Sequence, residues 1–348
     1  MDIPKLLADF SAISGVAGQE DGIADFCVSL LAPYGPVGLT PLGSVLCQVW
    51  NGGSGAPHLL IDAHIDEVGL IVTFIEEDGF LRVAPCGGID RRALPAAPLL
   101  IYGEHGPVCG VVCSSPPHLN KEGEKKTLPV DELCVDIGCA SKDEAEGLVS
   151  PGDRATCYAP ARPLLGGLIS GKAADNRAGC AAIMYALSLL ADDSPAVCSL
   201  TVLFSTMEEI GGQGAKTAAN HVLPTHAIIV DASFAHTPDA PKAKCGLLGG
   251  GPMVGIAPIL SGEMSKLLID TAKTQGIPFQ AEVMGGKTGT NADSIAVAGA
   301  GVYTGLLSIP QKYMHTPVET VSISDIENTG RLLAAFIRRF NREWGPRL

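Results

Sequence analysis

The chain has 348 residues, of which 46% are apolar, and its 37 acidic against 24 basic side chains give a net charge of −13. This acidic balance argues against a nucleic acid or an anionic membrane surface as partner, because both require a basic face. No apolar run reaches the roughly 20 residues of a membrane-spanning helix, and the N-terminus does not resemble a signal peptide. We therefore expect a cytoplasmic protein whose eleven cysteines are reduced.

The N-terminal part predicts α/β structure. Apolar residues recur with a helical period within residues 4–33, which predicts two helices separated by the turn Ser14–Gly18. Strands are predicted at Val45–Trp50 and His58–Ala63. From residue 69 to 163, short β-prone pieces alternate with Gly, Pro and Asp turns, a pattern typical of a small antiparallel β domain. The polar stretch His118–Lys126 within it predicts a mobile loop.

Helices and strands alternate again from residue 164 to the C-terminus. The predicted helices cover about 175–191, 213–220, 262–275 and 324–341, and the predicted strands are Ser199–Ser205, Ala227–Val230, 279–284 and 302–307. Such alternation predicts a mostly parallel sheet with helices on both faces. The predicted organisation is therefore one α/β domain, residues 1–68 plus 164–348, interrupted by a β-rich inserted domain at 69–163.

Histidines and carboxylates cluster at the predicted carboxyl ends of the strands, where ligands collect in an open α/β sheet. The candidates are His64, Asp66, Asp175, Glu208, Glu209, Asp231 and His315. This mixture of imidazole and carboxylate suits divalent metal ions. Each residue alone has a simpler interpretation; Asp175, for example, could cap its helix. The metal-site hypothesis therefore depends on their co-location.

Four segments make the prediction more specific. They are His64–Gly69, Gly171–Arg177, Met207–Gly211 and Tyr313–Glu319. In order and spacing they resemble the signature segments of family 42 of the metallopeptidases, the glutamyl and deblocking aminopeptidases. Some of these proteins form tetrahedral particles, and some were once described as endoglucanases. The resemblance implies a zinc-exopeptidase-like fold and an activity that removes N-terminal residues from peptides.

The resemblance also implies two divalent metal ions per chain, zinc or else cobalt or manganese. His64 and Asp231 would complete one metal site, Glu209 and His315 the other, and Asp175 would bridge them.

Two further residues would act beside the metals. Asp66 would orient the His64 imidazole, because residues i and i+2 of an extended segment share a face. Glu208 would be the general base that takes a proton from the attacking water and gives it to the leaving amine.

Substrate contacts are predicted less directly. The loop Gly249–Pro252 allows close approach of backbone to a substrate, through Gly250 and Gly251, but a plain turn between strands explains it equally well. Thr290 is a further candidate, since it precedes Asn291, where the family usually carries aspartate. Ser44 and Lys312 also depart from the family pattern. None of the departures is a predicted metal ligand, so they bear on substrate preference.

The inserted domain carries none of the predicted ligands. The resemblance implies that it mediates self-association, as a dimer or a dimer-based dodecamer that peptide substrates enter; a lid over the active site is the alternative. Other functions also remain open. A related di-zinc carboxypeptidase or amide deacylase would use a similar site, and a binding protein could keep the fold without activity. A glycosidase would need two metal-free carboxylates around a sugar bond.

Overall fold

The computed structural model describes residues 1–116, 118, 128–193 and 197–344. Apart from His118, the predicted loop at 118–126 lies outside the described residues. The helices are α1 (Ile3–Ala12), α2 (Asp21–Leu31), α3 (Lys142–Glu146), α4 (Ala174–Leu190), α5 (Gln213–Val222), α6 (Gly262–Gln275), α7 (Ala292–Ile295) and α8 (Ile323–Trp344). In the part of the chain described, no helix combines the length and the apolar character needed to cross a membrane.

Strands make up two separate sheets. The first nine are β1 (Val37–Leu39), β2 (Val45–Trp50), β3 (His58–His64), β4 (Gly69–Ile75), β5 (Leu81–Cys86), β6 (Pro98–Gly103), β7 (Gly106–Val112), β8 (Cys134–Asp136) and β9 (Arg154–Cys157). The others are β10 (Arg162–Leu164), β11 (Leu168–Gly171), β12 (Ser199–Ser205), β13 (His226–Phe234), β14 (Met253–Ile256), β15 (Gln280–Val283), β16 (Tyr303–Lys312) and β17 (Glu319–Ser322).

The larger sheet has 11 strands, with β1, β2, β12, β3, β13, β16, β17, β11 and β10 in order across it; β14 also pairs with β16, and β15 pairs with β14. The central strands β12, β3, β13 and β16 are parallel to one another, whereas the pairs at both flanks are antiparallel. Parallel neighbours need long crossovers, while short turns such as that between β10 and β11 permit only antiparallel pairing. The predicted α/β class is confirmed, and the sheet is mixed, with its parallel part in the centre.

Helices cover both faces of this sheet. Alternate residues of the central strands point to opposite faces. Leu60 and Leu203 pack on one face in a core with α5 and α7, whereas Ile61 and Val202 pack on the other with α1, α4, α6 and α8. The central strands are apolar on both faces, as buried parallel strands generally are.

The smaller sheet is a closed six-stranded barrel, with β4, β5, β8, β7, β6 and β9 in order around it. It has its own apolar core, which includes Leu70, Val83, Ile101 and Val135. The barrel runs from Gly69 to Cys157, and β10 already belongs to the larger sheet. The barrel therefore occupies most of the segment that the sequence assigned to an inserted domain.

Candidate metal centre

The predicted ligands lie at one edge of the larger sheet, where its parallel strands end. His64 is the last residue of β3, and Glu208 and Glu209 lie three and four residues after Ser205, the last residue of β12. Asp231 lies inside β13, because this strand continues to Phe234 alongside β16 rather than ending at Val230 as the sequence suggested. His315 lies in the turn between β16 and β17.

Asp175 stands between two histidines. His64 Nε2 lies 3.2 Å from Asp175 Oδ1 and 3.6 Å from Asp231 Oδ1. On the other side, His315 Nε2 lies 3.5 Å from Asp175 Oδ2 and 3.4 Å from Glu209 Oε2. One carboxylate thus presents its two oxygens to two separate imidazoles, each of which has a further carboxylate beside it.

Asp66 has more contacts than the sequence suggested. Its carboxylate lies near the His64 ring, with Oδ1 3.4 Å from Nδ1, and the same ring nitrogen donates to the Asp66 backbone carbonyl at 3.1 Å. Its two oxygens also accept hydrogen bonds from the backbone N–H groups of Glu208 and Glu209, both at 3.0 Å. Asp66 therefore holds the turn that carries both glutamates, as well as the histidine.

The electrostatics of the cluster favour bound cations. Burial raises the pKa of Glu208 to about 8, and burial together with Asp175 raises the pKa of Glu209 well above its usual range. Burial also disfavours ionised Asp175, but hydrogen bonds from His315 and His64 outweigh it and lower its pKa. A site with this surplus of buried carboxylates gains from divalent positive charge.

The donor set fits metal ions. Three groups of donors each have their ligand atoms within 4.8 Å of one another: His64 with Asp175 and Asp231, Asp175 with Glu209 and His315, and His64 with Glu208 and Glu209. Nitrogen and carboxylate oxygen are ligands of zinc and similar borderline metals. Metal binding would displace protons from the two imidazoles, whose pKa values the neighbouring carboxylates raise against the effect of burial.

Comparison with known proteins agrees with this geometry. The sequence model of the M42 glutamyl aminopeptidase family matches residues 43–332. The chain belongs to this family. Lysyl aminopeptidase of Pyrococcus furiosus is 32% identical over 331 residues, which cover 93% of each chain.

Solved structures of M42-like aminopeptidases share the whole fold. Aminopeptidase APDkam598 from the archaeon Desulfurococcus kamchatkensis matches with a TM-score of 0.91 at 31% identity, over 99% of this chain and 96% of that chain. The TET1 peptidase of Pyrococcus horikoshii, which can assemble into a tetrahedron or a large octahedral shell, matches with a TM-score of 0.86 at 31% identity, over 96% and 98%. The family resemblance and the zinc-exopeptidase-like fold are thereby confirmed.

A cavity of about 750 Å³ opens beside the metal ligands. Thr290, which the sequence proposed as a substrate contact, lines it, and Lys287 is the only lysine or arginine among the described lining residues. Asn291, the departure from the M42 pattern, has its amide directed into the protein, where Nδ2 donates to Asp62 Oδ2 and Ser205 Oγ, both at 2.9 Å. Sequence reasoning missed Lys287, whose only signal was a positive charge in a glycine-rich segment.

The loop with Gly250 and Gly251 lies elsewhere. Gly249 and Gly251 donate their backbone N–H groups to the carboxylate of Asp325 at 2.7 and 2.8 Å, and neither Gly250 nor Gly251 is among the residues that line the cavity. A Cβ at Gly251 would lie 2.0 Å from the backbone oxygen of Pro278. These contacts favour the alternative that the sequence left open, a turn between strands.

The barrel contributes directly to the metal centre. The carbonyl of Gly88, in the segment between β5 and β6, accepts a hydrogen bond from His315 Nδ1 at 3.0 Å. The backbone N–H of Asp90 donates to the His315 carbonyl at 2.9 Å. The segment carries no predicted ligand, but it fixes the ring and the backbone of one. The sequence could not predict the role of Gly88, because every residue has a backbone carbonyl and the residue type does not show which one accepts this hydrogen bond.

Glu319 is a buried carboxylate of the centre for which the sequence predicted no role. It is 2% exposed, and its Oε1 accepts from the His315 backbone N–H at 2.7 Å while Oε2 accepts from the Asp175 backbone N–H at 3.0 Å. Burial raises its pKa to about 8. The only sequence signal was its place at the end of the fourth M42 segment.

Charged residues of the first two M42 segments form an ion network behind the ligands. Glu67 Oε1 lies 2.8 Å from Lys172 Nζ and 3.2 Å from Arg177 Nη2, and both cations are largely buried. Arg177 also donates to the backbone carbonyls of Phe10 and Ile13. The network ties α1 and α4 to the segment that follows β3, which gives these charged residues a structural role apart from metal binding.

Proposed function

We propose that this M42 protein is a two-metal aminopeptidase that removes N-terminal residues from short peptides. The observation that carries the proposal is the position of Asp175, whose two carboxylate oxygens face His64 and His315 from opposite sides. His64 and Asp231 would hold one divalent ion, and Glu209 and His315 the other, with Asp175 shared.

The metal ligands, Glu208 and Asp66 would have different roles in the reaction. When bound, the metal pair would lower the pKa of a water molecule and polarise the scissile carbonyl. Glu208 lines the cavity beside the ligands; it forms a donor group with His64 and Glu209 but is absent from the two groups that share Asp175. Its carboxylate would take the proton of the attacking water and pass it to the leaving amine. Asp66 would keep Glu208 in place through the backbone N–H that it accepts.

The cavity walls would orient the peptide. Thr290 lines the wall with Ser233, whose hydroxyl donates to Glu282, and Phe234, exposed at the end of β13, offers an apolar surface. A free substrate α-amine at the metal pair would restrict cleavage to the first residue. Comparing a short peptide with its N-acetylated twin separates this function from a deacylase, and C-terminal shortening would indicate a carboxypeptidase. In each assay the released product is identified by mass spectrometry.

The metal requirement is tested on the full chain. We expect chelation to abolish hydrolysis of aminoacyl-p-nitroanilides and zinc, cobalt or manganese to restore it, with two metals counted per active chain. Full turnover by a rigorously metal-free sample would contradict the proposal.

We further propose that the barrel mediates self-association, as a dimer or a dimer-based dodecamer. Support comes from the TET1 peptidase, which has the same fold over 96% of this chain and forms closed particles. Light scattering at micromolar concentration should give a mass several times the 35.9 kDa of one chain. If the protein is instead a monomer, the alternative role of the barrel, a lid over the active site, would be favoured. We also propose a cytoplasmic location, where the eleven cysteines would stay reduced.

A further inference from the structure

Glu319 connects two residues that are far apart in sequence. Asp175 lies at the start of α4, and His315 lies in the turn before β17. The backbone N–H of each donates to a different oxygen of the same buried carboxylate, at 3.0 and 2.7 Å. No other side chain among the described residues joins these two ligands through their backbones.

The backbone at both ligands is unusual. His315 itself has a φ of 61°, and Ala173, two residues before Asp175, has a φ of 60°. Residues other than glycine rarely adopt such angles, and they keep them only where surrounding contacts determine the conformation. Glu319 supplies such a contact to each segment.

The arrangement repeats that of Asp66. Asp66 accepts the backbone N–H groups of Glu208 and Glu209, and Glu319 accepts those of Asp175 and His315. In both cases one buried carboxylate sets the backbone positions of two residues of the centre, and neither carboxylate belongs to the two ligand groups that share Asp175.

We propose that Glu319 is a positioning residue for the metal held by Glu209 and His315, acting by fixing the backbone of His315 against that of the shared Asp175. The inference rests on the proposed two-metal site. Residues that orient metal ligands typically contribute a factor of about 10–100 in metal affinity. Glu319 contacts His315, which would bind only this metal, and Asp175, which both metals would share. The affinity for the other metal, held by His64 and Asp231, should therefore fall less.

The test compares Glu319→Gln with a matched control, Asp325→Asn. Asp325 is also buried and also accepts two backbone N–H groups, those of Gly249 and Gly251, but it lies away from the metal centre. Each substitution replaces one of the two acceptor oxygens by an NH2 group, which cannot accept a hydrogen bond from a backbone N–H. Both variants should lose thermal stability. Only Glu319→Gln should lose metal affinity.

The readout is zinc retained per chain in the presence of increasing concentrations of a competing chelator. For Glu319→Gln we expect one of two zinc ions to dissociate at a free-zinc concentration about 10–100-fold higher than in the wild type. Excess zinc should restore much of kcat, with KM little changed. Glu319→Asp keeps two acceptor oxygens on a shorter side chain and should show an intermediate loss, which preserves the test if Glu319→Gln does not fold.

The outcomes are distinguishable. Unchanged zinc affinity in Glu319→Gln and Glu319→Asp, or an equal loss in Asp325→Asn, would overturn the positioning role while leaving the two-metal site intact. A wild-type chain that binds no zinc would instead overturn the proposed function.

Discussion

The two halves of the metal centre are built from different kinds of structure. His64 and Asp231 lie on neighbouring central strands, and the side chain of His64 is 1% exposed. Glu209 and His315 lie in turns, and the side chain of His315 is 28% exposed. Strands hold the first half through the sheet itself. The second half depends on contacts from outside its own turns.

Those outside contacts come from three places. Asp66 holds the backbone of Glu209, Glu319 holds that of His315, and Gly88 of the barrel accepts from the His315 ring. A side chain on a packed strand is rigid because its neighbours are rigid. A side chain on a turn needs hydrogen bonds to reach the same precision. We therefore expect perturbations near the site to release the second metal before the first.

Removing the residue common to both halves should have the largest effect. Asp175→Ala takes away the carboxylate that faces both imidazoles, so we expect both metals to be lost and hydrolysis to fall to background. Metal counting after gel filtration and assay with added zinc check this. Retention of one metal with measurable turnover would show that the halves are independent rather than joined through Asp175.

Removing the proposed base should leave both halves intact. Glu208→Gln keeps the shape of the side chain but cannot take a proton, so kcat should fall by about 10²–10⁴-fold or more while two metals remain bound. The measurements are steady-state kinetics and metal counting on the same sample. If metal and rate were lost together, Glu208 would be a ligand.

Disturbing the barrel contact should affect only the second half. A Cβ at Gly88 would lie 3.0 Å from His315 Nδ1, closer than an unstrained contact, so Gly88→Ala should shift the ring and weaken the second metal by roughly tenfold. The matched control is Gly38→Ala in β1, where a Cβ meets nothing within 4 Å. The measurement is the zinc retained by the two variants in the presence of a competing chelator. Equal retention would show that the barrel contact does not contribute to metal binding.

The smallest effect concerns the substrate rather than the metals. Because Lys287 is the only lysine or arginine among the described residues of the cavity wall, an acidic first residue should be favoured over a basic one. Lys287→Met should reduce the ratio of kcat/KM for glutamyl over lysyl p-nitroanilide by about two- to five-fold, the effect of an exposed charge pair. Lys216→Met, an exposed lysine of α5, is the control and should leave the ratio unchanged.

Sequence predicted several elements of the larger sheet well, but not the contacts that hold the metal centre together. The strand Ser199–Ser205 and the helix at 262–275 agree with β12 and α6 residue for residue, because strong apolar periodicity and clear end signals mark them. The end of β13 was predicted too early, because Asp231 looks like a strand terminator until its pairing with β16 is known. Glu319 accepts the backbone N–H of Asp175, which is far away in sequence, and Gly88 accepts the His315 ring nitrogen through its own carbonyl, so local sequence encodes neither contact.

The contact between Gly88 and His315 also limits how the role of the barrel can be studied. Excising residues 69–157 would remove the acceptor of the His315 ring along with any surface that joins subunits. Loss of activity in such a truncated chain would then reflect a displaced histidine as readily as a dispersed particle. Substitutions on the outer surface of the barrel, far from residues 87–91, separate the two causes because they leave the ring and its acceptor in place.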